Sequence, residues 1–279
     1  MDSIKINWHS SINFGDELNP YLIKKLWNME SVKVNEGDES PHLMMLGSIL
    51  NEANKGTIIM GAGLVASDRT FTGNPKFIGL RGKLTKAILK ERGFKVDNVF
   101  LGDPSVLLPE FYNPHIEKKY DLGIIPHLVD YENALNIFND TERFLVIDLR
   151  IDENNTIEKI IDKIKSCKCT ISSSLHGFIV SHAYGIPGTW CKFSDNVIGD
   201  GFKFIDYLSA YTDLYNEVPF FDLRNLEKEE INIDKIIELS SITIINNQIE
   251  LERIKAGLEL GKLRINQMKK RKNYHRVVN

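Results

Sequence analysis

The sequence predicts an α/β protein of two Rossmann-like domains facing each other across a cleft, followed by a long C-terminal helical segment. Three observations predict this. Short β-rich runs alternate with helical patterns from residue 4 onward, the signature of a mainly parallel sheet. The alternation stops at "YNPHIEKK", residues 112–119, a charged stretch with a proline and no periodicity that reads as a linker, and then restarts. Beyond about Asn232 the strand patterns give way to a helical one. The expected organisation is a first domain over residues 1–111, the linker, a second domain over 120–222 and the helical segment over 223–279, and 279 residues are ample for two ordinary cores.

In the first domain the expected strands are "IKINW" (4–8), "HLMML" (42–46), "TIIMG" (57–61) and "KFIGL" (76–80). The last feeds "RGKLTKAILKERGF", where Leu84, Ile88 and Leu89 fall at helical spacing and Gly93 is a natural C-cap. The apolar segment "VFLGDPSVLLPEF" (99–111) closes the domain. In "NFGDELNPYL" Gly15 reads as a turn and Asn19–Pro20 as a helix N-cap and first helical residue. The second domain runs strand "YDLGIIPH", helix "YENALNIF", strand "RFLVIDL", helix "TIEKIIDKIKSC", strand "CTISSS", helix "LHGFIVSHAYG" and strand "GTWCKF". Ligands of such sheets bind beyond the C-terminal strand ends. The loops "HSSINFGDE", "GAGL", "LRGK", "LGDP", "IPH" and "SSSLHG" are therefore the candidate site walls.

In the terminal segment Ile237, Ile244, Leu251, Leu258 and Ile265 sit seven apart, with Ile254 and Met268 three beyond their predecessors. That pattern fits a heptad seam joining two copies as a homodimer, and equally a helix packed back on its own chain, since Asn247 and Gly261 interrupt the partner positions. After Glu259 there are no acids, while Lys262, Arg264, Lys269, Lys270, Arg271, Lys272 and Arg276 accumulate. The tail reads first as a solvated end and second as a contact for an anionic membrane surface.

Composition excludes several classes. A net charge of −3 and a pI near 6.2 give no basic field for nucleic acid. Cys167, Cys169 and Cys191 are an odd number without zinc-ligand spacing, which points to a reducing cytoplasm. "MDSIKINWH" lacks the basic and apolar regions of a secretion signal, and no apolar run is long enough to cross a membrane.

"GAGLVA" (61–66) matches a dinucleotide fingerprint, yet turn residues follow where a helix is needed and Arg81 stands where an acid is wanted. Gly61 and Gly63 therefore read as a tight strand-end turn. Ser172 to Ser174 lack a nucleophile elbow, and His176 and His182, six apart, do not form a metal pair. A lone histidine is commonly structural; His176, however, opens a helix among small residues, where backbone N–H groups attract an anion. Arg81 ends a strand before Gly82 and is a candidate bidentate grip on a carboxylate or phosphate, or else a surface partner of Glu91. Asp16 is either a capping carboxylate or an acceptor of a hydroxyl proton, and Asp103 of "LGDP" is either a turn former or a binding residue.

In this order "NFGDELNPYL", "KFIGLRGKLT", "LGDPSVLLP", "GIIPHLVDY", "ISSSLHGFIVSHAYGIP" and "FKFIDYL" resemble the polysaccharide pyruvyltransferase family, from about residue 4 to residue 211. The resemblance implies a GT-B-like pair of domains, the first on the acceptor side and the second on the donor side. It implies transfer of pyruvate from phosphoenolpyruvate to two hydroxyls of a sugar in a capsule or exopolysaccharide, or in its lipid-linked precursor. The product is a cyclic ketal, with phosphate released and no metal or organic cofactor. The expected donor-binding set is Arg81, Ser173, Ser174, Leu175, His176, Gly177 and Lys203, with His176, Arg81 and Asp16 catalytic. Asn13, Asp16, Asp103 and His127 are expected on the acceptor, and His127 is the second candidate for the base. Some members carry arginine where this chain has Ser174; Lys203 or Lys192 is the candidate replacement cation. Two alternatives stand beside this reading: a GT-B glycosyltransferase using a nucleotide sugar, and a non-catalytic sugar-binding or scaffold protein.

Overall fold

The computed structural model describes residues 2–9, 12–71, 73–138, 142–224, 232–241 and 248–277. Two all-parallel sheets organise the chain. The first contains β1 (Ser3–Ile6), β2 (Glu30–Lys33), β3 (His42–Met44), β4 (Thr57–Met60), β5 (Lys76–Leu80) and β6 (Phe100–Leu101), in the order β2-β1-β3-β4-β5-β6. The second contains β7 (Tyr120–Ile125), β8 (Phe144–Val146), β9 (Cys167–Ser172), β10 (Gly188–Lys192) and β11 (Phe220–Asp222), in the order β11-β10-β9-β7-β8. The helices are α1 (Phe14–Trp27), α2 (Lys83–Glu91), α3 (Leu108–Phe111), α4 (Tyr131–Ile137), α5 (Ile157–Lys165), α6 (Leu175–Ala183), α7 (Phe202–Ser209), α8 (Ile233–Ser241) and α9 (Gln248–Val277). This is the α/β, doubly Rossmann-like architecture the alternation predicts.

Both sheets wind outward from their first strand in the two directions, so each reverses direction once: between β1 and β3, and between β7 and β9. Ligands of open parallel sheets bind at such reversals, outside the C-terminal strand ends. α1 follows β1 and α6 follows β9, and these two helices pack on each other. The helix starts from the two reversals therefore meet. Beneath them one apolar core runs through both halves, from Ile4, Leu43 and Met60 to Phe178, Ile179 and Trp190.

Two local expectations are corrected. α1 begins at Phe14, capped by the Asn13 side chain accepting from the Gly15 N–H, so Gly15 is helical and Asn19–Pro20 lie inside the helix. Pro20 has no N–H for the carbonyl four residues back. The Asn19 amide donates to that Asp16 carbonyl at 3.1 Å, which closes the gap and lets the helix run through the proline. The edge strands β2 and β11 carry too few buried residues to have been read from pattern.

α9 lies along the first sheet. Ile254, Leu258 and Ile265 are buried, and Gly257 and Gly261 leave no room for a Cβ against Phe100 and Met60. Small residues one turn apart let the helix backbone approach the strands closely. Trp27 donates to Glu259 at 2.8 Å and lies under Lys262, fixing the helix from the α1 side. Of the two readings of the seven-residue pattern, the structure takes the packing of the helix on its own chain: among the described residues Leu251, Ile254, Leu258, Ile265 and Met268 are taken up in or against the core. Ile244 and the side chains of Lys270, Arg271, Lys272 and Arg276 lie outside the described residues. Among the described residues no helix is long and apolar enough to cross a membrane.

Candidate active site

The three serines that precede α6 each have a local task. Ser172 Oγ accepts from the Ser174 N–H and donates back to a carbonyl, Ile125 or Ser174. Ser173 Oγ accepts from the His127 N–H at 2.9 Å and so ties the loop after β7 to the end of β9. Ser174 is the N-cap of α6, accepting from the Gly177 N–H. Leu175 is buried in the core, and a Cβ on Gly177 would meet Ile125 of β7 and Ser172 of β9, so the helix start is packed closely on both strands.

His176 is thereby delivered to the interface of the two halves. It is 8% exposed. A Cβ on Gly15 would overlap its Nδ1, so that edge of the ring lies directly against the start of α1. Its Nε2 points the other way, 3.7 Å from Asp103 Oδ2. Asp103 is fully buried and N-caps the 3-10 turn Pro104–Leu107, with Oδ1 accepting from the Ser105 N–H at 2.9 Å and hydroxyl at 2.6 Å. Burial alone would push the Asp103 carboxyl up; His176 and Ser105 outweigh it and hold it below its ordinary value. Asp103 is thus a turn former that also faces the histidine. Being enclosed, it is not an open contact for an acceptor sugar.

Arg81 is corrected more sharply. Its guanidinium is fully buried and does not project into a cleft as a free cation. Nε donates to Asp206 Oδ2 at 2.9 Å, NH2 lies 2.8 Å from the same oxygen and donates to the Leu64 carbonyl, and NH1 donates to Ser48 Oγ. Asp206 comes from α7 of the second half and also accepts from the Thr85 N–H and hydroxyl at 2.7 Å each. Gly63 gives the guanidinium room, and Gly61, at φ 138°, brings the β4 end against Pro104. The glycines of "GAGLVA" serve these close approaches.

Lys203, in the first turn of α7, contrasts with Arg81. It is more than nine-tenths buried and has no hydrogen bond or ion pair among the described residues. Burial first, and then the Arg81 charge, pull its ammonium down to about 8, against the opposing pull of Asp130. Its charge and burial together push His127 down to about 4, burial being the larger cause. Lys192, the other candidate cation, is paired with Asp200. A cavity of about 260 Å³ opens at the C-terminal ends of β9 and β10, walled by Ser173, Lys192, Ser194, Gly201, Trp190 and Phe204. Trp190 stacks with both Phe204 and Phe220. Asn13 caps α1, and Asp16 sits half-buried in the first turn beside Gly15.

Comparison with known proteins decides the family. A model of the polysaccharide pyruvyl transferase family matches residues 13–194. The chain belongs to this family. As a polysaccharide pyruvyl transferase homologue it is 33% identical over 250 residues to protein L143 of Acanthamoeba polyphaga mimivirus, covering 86% of each chain. It is 27% identical over 205 residues to the succinoglycan biosynthesis protein ExoV of Rhizobium meliloti, covering 70% of this chain and 60% of ExoV. A solved structure of an uncharacterised Klebsiella pneumoniae protein aligns with a TM-score of 0.43 at 13% identity, over 78% of this chain and 92% of that one. The family match contains Gly15, Arg81, Asp103 and His176; Lys203, Asp206 and α9 lie beyond it. Sequence reasoning passed over Asp206, although it sits three residues from Lys203 in "FKFIDYL", because nothing local marks it as the partner of Arg81.

Proposed function

We propose that the protein transfers pyruvate from phosphoenolpyruvate to two hydroxyls of a sugar, in a surface polysaccharide or its lipid-linked precursor, forming a cyclic ketal. The observation that carries the reading is the placement of His176 between a buried carboxylate and the first turn of α1, where the two sheets' ligand-binding ends converge. Ketal formation requires a proton on the enol methylene of the donor, and an imidazolium is suited to give it. One acceptor hydroxyl adds to the resulting cationic carbon; phosphate leaves with the C–O bond electrons, and the second hydroxyl closes the ring. The two hydroxyl protons balance the one gained by the methylene and the one carried off by phosphate. Lys203, a buried cation that lies over the Phe204 ring and has no ion-pair partner among the described residues, supports binding of the dianionic phosphate in the place of the arginine that Ser174 replaces. Asp16, beside Gly15, is the proposed base for the attacking hydroxyl; His127, depressed to about 4, is too weak a base for that task.

The test is incubation with phosphoenolpyruvate and a panel of hexosides bearing neighbouring hydroxyls, galactosides first. Phosphate release together with an acceptor heavier by pyruvate less water is expected. Nucleotide sugars serve as control donors. Sugar transfer from a nucleotide donor, with phosphoenolpyruvate untouched, would overturn the proposal.

A further inference from the structure

We infer that Asp103 is the positioning residue of His176: it holds the proton on Nε2 and thereby makes Nδ1, the nitrogen against Gly15, the atom that exchanges protons in the reaction. Three observations on opposite sides of the ring carry this. Nε2 and Asp103 Oδ2 are both buried, lack any hydrogen-bond partner among the described residues, and face each other at 3.7 Å. Asp103 cannot rotate toward another partner, because Oδ1 is fixed by both donors of Ser105. Nδ1 is the edge that meets the start of α1, where the glycine alone leaves space.

A carboxylate that accepts from one ring nitrogen fixes the tautomer and stabilises the imidazolium. The ring then begins as the cation, with Nε2–H toward Asp103. The Nδ1–H bond breaks as the C–H bond of the donor methyl forms. What remains is neutral imidazole with its proton still on Nε2, and Nδ1 ready to accept. The pair passes from net neutral to one negative charge as the Nδ1 proton leaves: Asp103 stays ionised and is never the proton source. This also removes Asp103 from the acceptor contacts. The assignment rests on the proposed use of His176 as a proton donor, but its central claim, the tautomer, is measurable without turnover.

The experiment is nitrogen-detected NMR of the full chain labelled with 15N-histidine, with His176→Gln identifying the signal. At a pH where the ring is neutral, Nε2 should show the protonated-nitrogen shift and Nδ1 the unprotonated one. Asp103→Asn keeps an oxygen for Ser105 and turns its amide NH2 toward Nε2. It should reverse the tautomer, retain the thermal midpoint, and lower kcat at least ~100-fold with KM for phosphoenolpyruvate little changed. A neutral ring protonated on Nδ1 in the unaltered protein overturns the inference, whether or not the variant folds. So does Asp103→Asn with the tautomer unmoved. If the tautomer is as stated and no pyruvyl transfer occurs with any acceptor, the functional reading fails and the positioning of the ring stands.

Discussion

Replacing Arg81 with methionine separates two roles that the sequence leaves open, a grip on the donor and a tie between the two halves. In the structure both members of the Arg81–Asp206 pair are fully buried, and the guanidinium also satisfies Ser48 and the Leu64 carbonyl. Methionine conserves much of the volume but strands the Asp206 carboxylate with only the two Thr85 bonds. Removing one partner of a buried pair costs about 3–5 kcal/mol. Chains somewhat smaller than this one shift about 2–4 °C per kcal/mol, so the midpoint should fall by roughly 10 °C. Differential scanning fluorimetry or calorimetry reads this directly. Arg81→Met combined with Asp206→Leu should recover part of the loss, because the uncompensated charge is gone. An unchanged midpoint with a large rise in KM for phosphoenolpyruvate would refute the reasoning and return Arg81 to the donor.

Three further outcomes are expected. His176→Ala should remain folded, by circular dichroism and thermal midpoint, and lose at least ~100-fold in kcat; near-normal turnover would remove the histidine from the chemistry. Lys203 carries its charge below about 8 and loses it above, so KM for phosphoenolpyruvate should rise as pH climbs through 8, and Lys203→Met should raise KM and abolish that dependence. A Lys203→Met profile that still follows the unaltered protein would place the cation elsewhere. Gly15→Ala puts a methyl where His176 Nδ1 lies and should lower kcat at least ~10-fold while leaving the midpoint within a few degrees, with full activity sinking the proposed packing of the ring on α1.

The sequence by itself determined the alternating architecture, the loops that could hold a ligand, and the position of His176 at a helix start. Each of these is local: a strand or helix period, a run of small residues, a polar cap. It also carried the family motifs, whose order survives whatever their individual weakness. Local patterns identified that α9 has an apolar face without saying what covers it; the seven-residue spacing served two folds equally well until Phe100 and Met60 met Gly257 and Gly261. Pro20 misled because its missing hydrogen bond is replaced by a neighbouring side chain, which no propensity records.

Only the tertiary structure decided which charges are free. Arg81 finds Asp206 across 125 residues, and His176 finds Asp103 from the opposite sheet. Each looks from its own loop like an open functional group. Whether a buried charge serves binding or holds the fold depends on its partner, and partners so distant in sequence are brought together by the packing of whole sheets. The same packing gives Lys203 the Phe204 ring but no ion-pair partner among the described residues. In the sequence it is one of two candidate cations, with nothing local to choose it over Lys192. Enclosed beside Arg81, with Asp206 already engaged, it is a buried positive charge without a paired anion, and the physical cost of that state is what marks it for a ligand.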